Sequence, residues 1–145
     1  MSNLIDRRAT SEFKPFMTGL ADSVLREIAS LLDRLIATGE PGAIDLHSLP
    51  MTDADRDDLR DRLGEGEVHV ELDVSGLSRI DETGISGVWW VRHEGAEGKL
   101  AAELIEVTQV PAILLSHPDD MKAARQRLGE ILEETDCTGT EDFGE

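Results

Sequence analysis

The chain has 145 residues, 39% of them hydrophobic, which suits one domain with an ordinary buried core and argues against wholesale disorder. Lys and Arg number 14 against 31 Asp and Glu, a formal net charge of −17. Such a field repels phosphate backbones and anionic lipid, so nucleic-acid binding and membrane-surface binding are disfavoured. A single cysteine, Cys137, closes no internal disulfide, and no apolar run approaches the roughly 20 residues that span a bilayer. Asp6, Arg7, Arg8 and Glu12 break up any secretory apolar region, which implies a soluble, cytoplasmic protein.

Residues 1–16 mix charged and polar side chains with Phe13, Pro15 and Phe16 and read as an N-terminal arm whose phenylalanines tack it to the body. Leu20, Val24, Ile28, Leu31 and Leu35 then recur at spacings of three and four, with Leu25, Leu32 and Ile36 widening the stripe. That periodicity predicts an amphipathic helix facing a core, stopped at Gly39 and Pro41-Gly42. Residues 43–46 form a candidate edge strand. Thr52 stands where an N-cap belongs, with Asp55 three residues on. They predict a surface helix over 53–63 with Leu59 and Leu63 as its apolar contacts and Gly64 as its stop.

The period changes to two where Val68, Val70, Leu72 and Val74 alternate with His69, Glu71 and Asp73, the pattern of a half-buried strand. Residues 79–83 form a second extended piece, and Val88-Trp89-Trp90-Val91 favours strand over helix. Glu94-Gly95-Ala96-Glu97-Gly98 reads as a hairpin turn into a strand over 100–107. The run 112–115 is too short to assign by period. Pro118 opens a helix with Asp119 and Asp120 in its first turn and an apolar face of Met121, Ala124, Leu128, Ile131 and Leu132. From Thr135 the acidic composition predicts a frayed end and a solvated tail over 135–145. The organisation is therefore one α+β domain over 17–134, an antiparallel meander of three to four strands packed with about three helices.

No catalytic constellation emerges. His69 and Glu71 share one strand face and His93 belongs to a neighbouring strand. A metal site is geometrically conceivable there, but polar strand residues facing solvent are by far the commoner explanation of the three, and no metal or cofactor is expected. Gly84-Ile85-Ser86-Gly87 lacks the spacing of a nucleophile elbow, Cys137 sits among acids, and the glycines form no phosphate loop, so the chain reads as no enzyme. Two features remain. In Ile80-Asp81-Glu82-Thr83-Gly84, Asp81 and Thr83 can satisfy backbone donors at a strand bend and Gly84 can take a positive φ; the alternative is a recognition loop. Trp89 and Trp90 are adjacent on a strand and must point to opposite faces. One is expected in the core and the other either under a helix or exposed, where it would be a protein-binding hot spot. Ile80, Asp81, Glu82, Thr83, Trp89 and Trp90 are thus the candidate partner-binding residues.

Two resemblances follow from these strings. Val70 through Ile85, with Ile80-Asp81-Glu82-Thr83-Gly84 at its end, is similar to the STAS domains of anti-sigma-factor antagonists, in which a helix follows the turn. Glu82 replaces the phospho-acceptor serine there, leaving Thr83 as the hydroxyl a phosphorylation switch would use. A longer ordered match runs through Leu63-Gly64-Glu65-Gly66-Glu67-Val68, then Ile80 with Glu82-Thr83, then Gly87-Val88-Trp89. It continues through Gly98-Lys99-Leu100, Glu103-Leu104-Ile105-Glu106-Val107 and Val110-Pro111. This set resembles the C-terminal conserved region of the hydrogenase expression/formation proteins of the HupH/HyaF type.

The second resemblance implies a non-catalytic accessory role in nickel–iron hydrogenase maturation. The client would be a subunit precursor, most plausibly the small subunit before export, and a thioredoxin-like co-chaperone would assist. Members of that family are commonly longer, so a short member is expected to lack part of the usual activity. A field of −17 would favour a basic partner segment, and a twin-arginine signal peptide is one. Free strand edges would also admit a homodimer. Strand and hairpin over 85–97 would support the hydrogenase reading, and an amphipathic helix there the STAS reading.

Overall fold

The structure, a computed structural model, describes residues 16–73 and 75–143, with side chains through Asp136. Helix α1 spans Leu20–Thr38 and ends where the Gly39 N–H donates to the Leu35 carbonyl. Of its apolar stripe, Val24 and Ile28 are buried together with Ala21, while Ile36 is 81% exposed. Helix α2 covers Asp53–Leu63 and carries the expected reciprocal cap. The Asp55 N–H donates to the Thr52 hydroxyl at 3.1 Å, and the Thr52 N–H donates to the Asp55 carboxylate at 3.0 Å.

The strands are β1 (Gly42–Asp45), β2 (His69–Asp73), β3 (Leu77–Glu82), β4 (Val88–Glu94) and β5 (Leu100–Val107). They form one antiparallel sheet in the order β1-β5-β4-β3-β2. The expected three- to four-stranded meander is therefore corrected to five strands. β2 to β5 make the meander, and β1 adds to its far edge through Gly42↔Val107 and Ile44↔Ile105. Four residues with no alternation carry little local signal, and β1 exists because β5 offers it a free edge.

Cross-strand partners share a face, so the register assigns each side chain. Ile44, Ile105 and Trp90 lie on the face that packs with Val24, Ile28, Leu59 and Leu63 of the two helices. Ile80, Val91 and Leu104 lie on the opposite face, where Ile80 and Val91 are fully buried.

A second compact unit begins at Val110. It holds a 3-10 turn (Ala112–Leu114) and helix α3 (Pro118–Phe143). Pro118 takes the first helical position, preceded by His117, whose Nδ1 accepts from the Asp119 N–H at 3.1 Å. The helical backbone continues through the stretch expected to fray, because propagation adds one hydrogen bond per residue at no new nucleation cost. Of the N-terminal arm expected over 1–16, only Phe16 lies within the described residues, and it is exposed rather than tacked to the body. Val74 and residues 144–145 also lie outside them. Among the described residues no helix is long and apolar enough to cross a membrane.

Candidate functional site

A partly open cleft of about 170 Å³ lies where the end of α2 meets β2 and β3. Its lining includes Glu65, His69, Asp81 and Glu82, with Arg60 and Trp90. Three backbone bonds bring these elements together: Gly84 N–H to Leu63 O (2.9 Å), Gly66 N–H to Glu82 O (2.8 Å) and Glu82 N–H to Val68 O (2.9 Å). The contact admits no side chain at two points. A Cβ on Gly84 would stand 2.8 Å from Leu63 O, and one on Gly66 would stand 2.6 Å from Thr83 O. Gly84 is thus required for close approach, not for the positive φ expected of it, which Gly87 adopts instead at 87°.

The aromatic wall is set by a buried charge network. Trp90 points towards the helices, and its indole N–H donates to Glu103 Oε2 at 3.0 Å. Glu103 is itself buried, with its other oxygen accepting from Arg56 Nε at 2.9 Å and Arg92 Nε lying 3.5 Å from Oε2. A carboxylate at that depth is tolerable only with such partners, and losing Arg56 would leave it with a single cation, Arg92, at 3.5 Å. The Arg60 guanidinium stacks 4.7 Å from the centre of the Trp90 ring, a cation–π contact that places its donors at the cleft.

On the β2–β3 side, the His69 Nδ1 and Asp81 Oδ1 are 2.9 Å apart. The hydrogen bond to Asp81, aided by the Asp81 and Glu65 charges, raises the His69 pKa above its usual value. Glu82, not Asp81, serves the backbone: its Oε1 accepts from the Glu67 N–H at 3.1 Å. The result is an acidic cleft with one stacked guanidinium and an imidazole whose pKa is raised. Such a lining offers hydrogen-bond donors and acceptors to a polar or charged segment.

The candidate partner residues divide accordingly. Asp81, Glu82, Thr83 and Trp90 line the cleft, whereas Ile80 and Trp89 belong to the opposite face. An exposed tryptophan anchor is not found. Trp90 is 4% exposed beneath the helices, and Trp89 is 6% exposed with its indole N–H donating to Thr108 O at 3.1 Å. Thr83 is also buried. Its hydroxyl donates to Val88 O at 2.8 Å and accepts from the Ile85 N–H at 3.2 Å, so it closes a turn and offers no access to a kinase. β4 and the turn after it occupy residues 85–97, where the STAS resemblance requires a helix, which overturns that alternative.

His69 and Glu71 do share a face, but His93 lies three positions beyond Trp90, on the other one, 2.7 Å from the Ser78 hydroxyl. Among the described residues no group of three or more His, Cys, Asp or Glu could hold a metal ion. Sequence reasoning missed Arg56, Arg60 and Glu103. The signal for Glu103 was its parity, because it alternates in step with the buried Ile105 and Val107 and so points inward beside an indole that needs an acceptor.

Comparison with known proteins matches residues 19–135 to the family described as HupH hydrogenase expression protein, C-terminal conserved region. The chain is 33% identical over 141 residues to the hydrogenase expression/formation protein HoxQ of Azotobacter vinelandii, covering 90% of this chain and 49% of that protein. It is 33% identical over 132 residues to HupH of Rhodobacter capsulatus, covering 83% and 48%. The solved structure of the hydrogenase expression protein HupH from Thiobacillus denitrificans ATCC 25259 is 44% identical with a TM-score of 0.77, covering 83% of this chain and 99% of that one. The chain spans about half the length of these two curated relatives.

Proposed function

Because the chain belongs to the HupH hydrogenase expression protein family through its C-terminal conserved region, we propose that it is a non-catalytic assembly factor in nickel–iron hydrogenase maturation. In this reading it binds a hydrogenase subunit precursor, the small subunit, in the cytoplasm before export, together with a thioredoxin-like co-chaperone. The observation that carries the reading is the cleft at the end of α2, where Glu65, Asp81 and Glu82 meet in a chain of net charge −17. Three carboxylates against one guanidinium leave the cleft net acidic, which favours the encounter with a cationic segment over an anionic one. The basic signal peptide of an exported precursor has the complementary charge. Arg60, stacked on Trp90, offers a second, cationic contact that an uncharged apolar groove would lack.

The test is co-purification of the tagged protein with separately expressed small- and large-subunit precursors, with and without the signal peptide. Retention of the small-subunit precursor, weakened by Glu65→Lys and Asp81→Lys and by added salt, is the expected outcome. Capture of neither subunit in the presence of the co-chaperone would overturn the reading. Capture insensitive to the signal peptide, to salt and to both substitutions would remove the cleft from it.

A further inference from the structure

Next to the cleft, the same face of the sheet carries a row of four charges. Glu71 of β2, Arg79 of β3, Arg92 of β4 and Glu103 of β5 are successive cross-strand partners. The two guanidiniums therefore stand side by side in the middle of the row, and like charges directly opposite one another destabilise a sheet. Neither has a hydrogen-bonded partner among the described residues. Arg79 Nε lies 3.6 Å from Glu71 Oε1, and Arg92 Nε lies 3.5 Å from Glu103 Oε2. Glu103 is already engaged, because Arg56 Nε takes its Oε1 and the Trp90 indole N–H takes its Oε2. Arg92 Nε is consequently buried without an acceptor, the kind of unsatisfied charged donor that costs most. The row is short of negative charge. A carboxylate laid against the exposed ends of both guanidiniums would supply it and relieve their repulsion.

The rest of the chain decides how an anion comes to lie there. A net charge of −17 repels a free polyanion, so the carboxylate must arrive on a segment that a cationic group also holds in place. The cleft supplies that second hold. Asp81 is two residues from Arg79 on β3, and Trp90 is two residues from Arg92 on β4, all on one face. The acidic lining and the arginine pair are thus about 7 Å apart along the strands. Alternate residues of an extended segment lying along β3 have the same spacing.

We infer that Arg79 and Arg92 form a carboxylate subsite beside the acidic cleft, and that the bound protein segment is extended, with an Asp or Glu two residues from an Arg or Lys. This deepens the reading of the cleft as a client site and rests on it. A uniformly basic segment would fill the cleft and leave the arginine pair repelled, whereas the mixed segment satisfies both rows.

NMR titration of the isotope-labelled full chain tests this with two capped peptides, Ser-Thr-Arg-Thr-Asp-Thr-Ser and the same peptide with Asn in place of Asp. The Asp peptide should bind about tenfold more tightly. It should move the Nε–H resonances of Arg79 and Arg92 together with the Trp90 indole N–H, whereas the Asn peptide should move the indole signal alone. The Arg79 side chain is 50% exposed, so Arg79→Gln should keep the tryptophan emission of the sheet unit while reducing the Asp peptide to the affinity of the Asn peptide. Equal affinity of the wild type for the two peptides, or a preference that survives Arg79→Gln, would overturn the inference. If Asp81→Lys still abolishes binding in that case, the cleft reading stands without the subsite. Binding of neither peptide to the wild type would overturn both.

Discussion

Helices α1 and α3 carry nearly the same sequence pattern and meet different fates. Both repeat aliphatic residues at three and four, but α1 buries Val24 and Ile28 against the sheet, whereas Met121, Leu128, Ile131 and Leu132 of α3 are about half exposed. Periodicity establishes that a helix has an apolar face; what covers that face is decided by other parts of the molecule or by other molecules. The contrast sharpens at residues that both helices could tolerate in isolation. In α1, truncation opens a cavity in a packed core, and in α3 it merely trims a surface.

The largest expected effect tests that contrast. Ile28→Ala should destabilise the sheet unit by about 2–5 kcal/mol in urea unfolding, the range for a buried aliphatic truncation. Leu128→Ala should leave the same transition within about 0.5 kcal/mol. Both tryptophans lie in β4, so their fluorescence reports the sheet unit alone. Equal losses from the two substitutions would mean that α3 contributes to that core.

A smaller effect belongs to Asp55, which ties α2 to the residues before α1. Its carboxylate accepts from the Thr18 N–H at 2.8 Å, the Thr18 hydroxyl at 2.7 Å and the Thr52 N–H at 3.0 Å. Burial pushes its pKa up, but these hydrogen bonds outweigh it and hold the group down to about 2. An unfolded aspartate titrates near ~3.9, so between those values the unfolded chain binds the additional proton. The Asp55 contribution is therefore complete above about pH 4 and disappears as pH falls towards 2. Asp55→Ala should cost about 2 kcal/mol at pH 7, combining the cap with the Thr18 bonds. That difference should shrink in urea melts at pH 2.5. A pH-independent loss would mean that the substitution acts through packing.

The smallest effect lies in the cleft. Asp81→Asn should lower the His69 pKa towards its ordinary value, read from the imidazole proton shifts across pH 5–9. The His69–Asp81 contribution is present below about pH 6.5 and is lost as pH rises through the raised folded value. An unchanged titration would show that the 2.9 Å contact is not maintained in solution.

Much of the fold is legible because it is local. Thr52 and Asp55 declare the α2 cap within four residues, Gly39 stops α1, the alternation from Val68 to Asp73 shows a half-buried strand, and Gly95 to Gly98 mark the hairpin. The candidate site is less legible. Asp81, Glu82, Thr83 and Trp90 stand out in the sequence, but Arg60 and Glu103 become meaningful only once α2 and β5 are brought to the same indole. The paired tryptophans similarly suggest an exposed anchor until both faces of the sheet prove to be buried at β4.

Helix, strand and turn identities thus follow from the sequence itself, since capping bonds, glycine stops and side-chain periodicities act over a few residues and need no distant partner. The β1–β5 pairing, the burial of both tryptophans, the Arg56–Glu103–Trp90 network and the acidic cleft were decided only by the tertiary structure. Each depends on contacts between segments far apart in the chain. Their stability comes from desolvation and from satisfying buried polar groups, conditions that do not exist until the chain has closed.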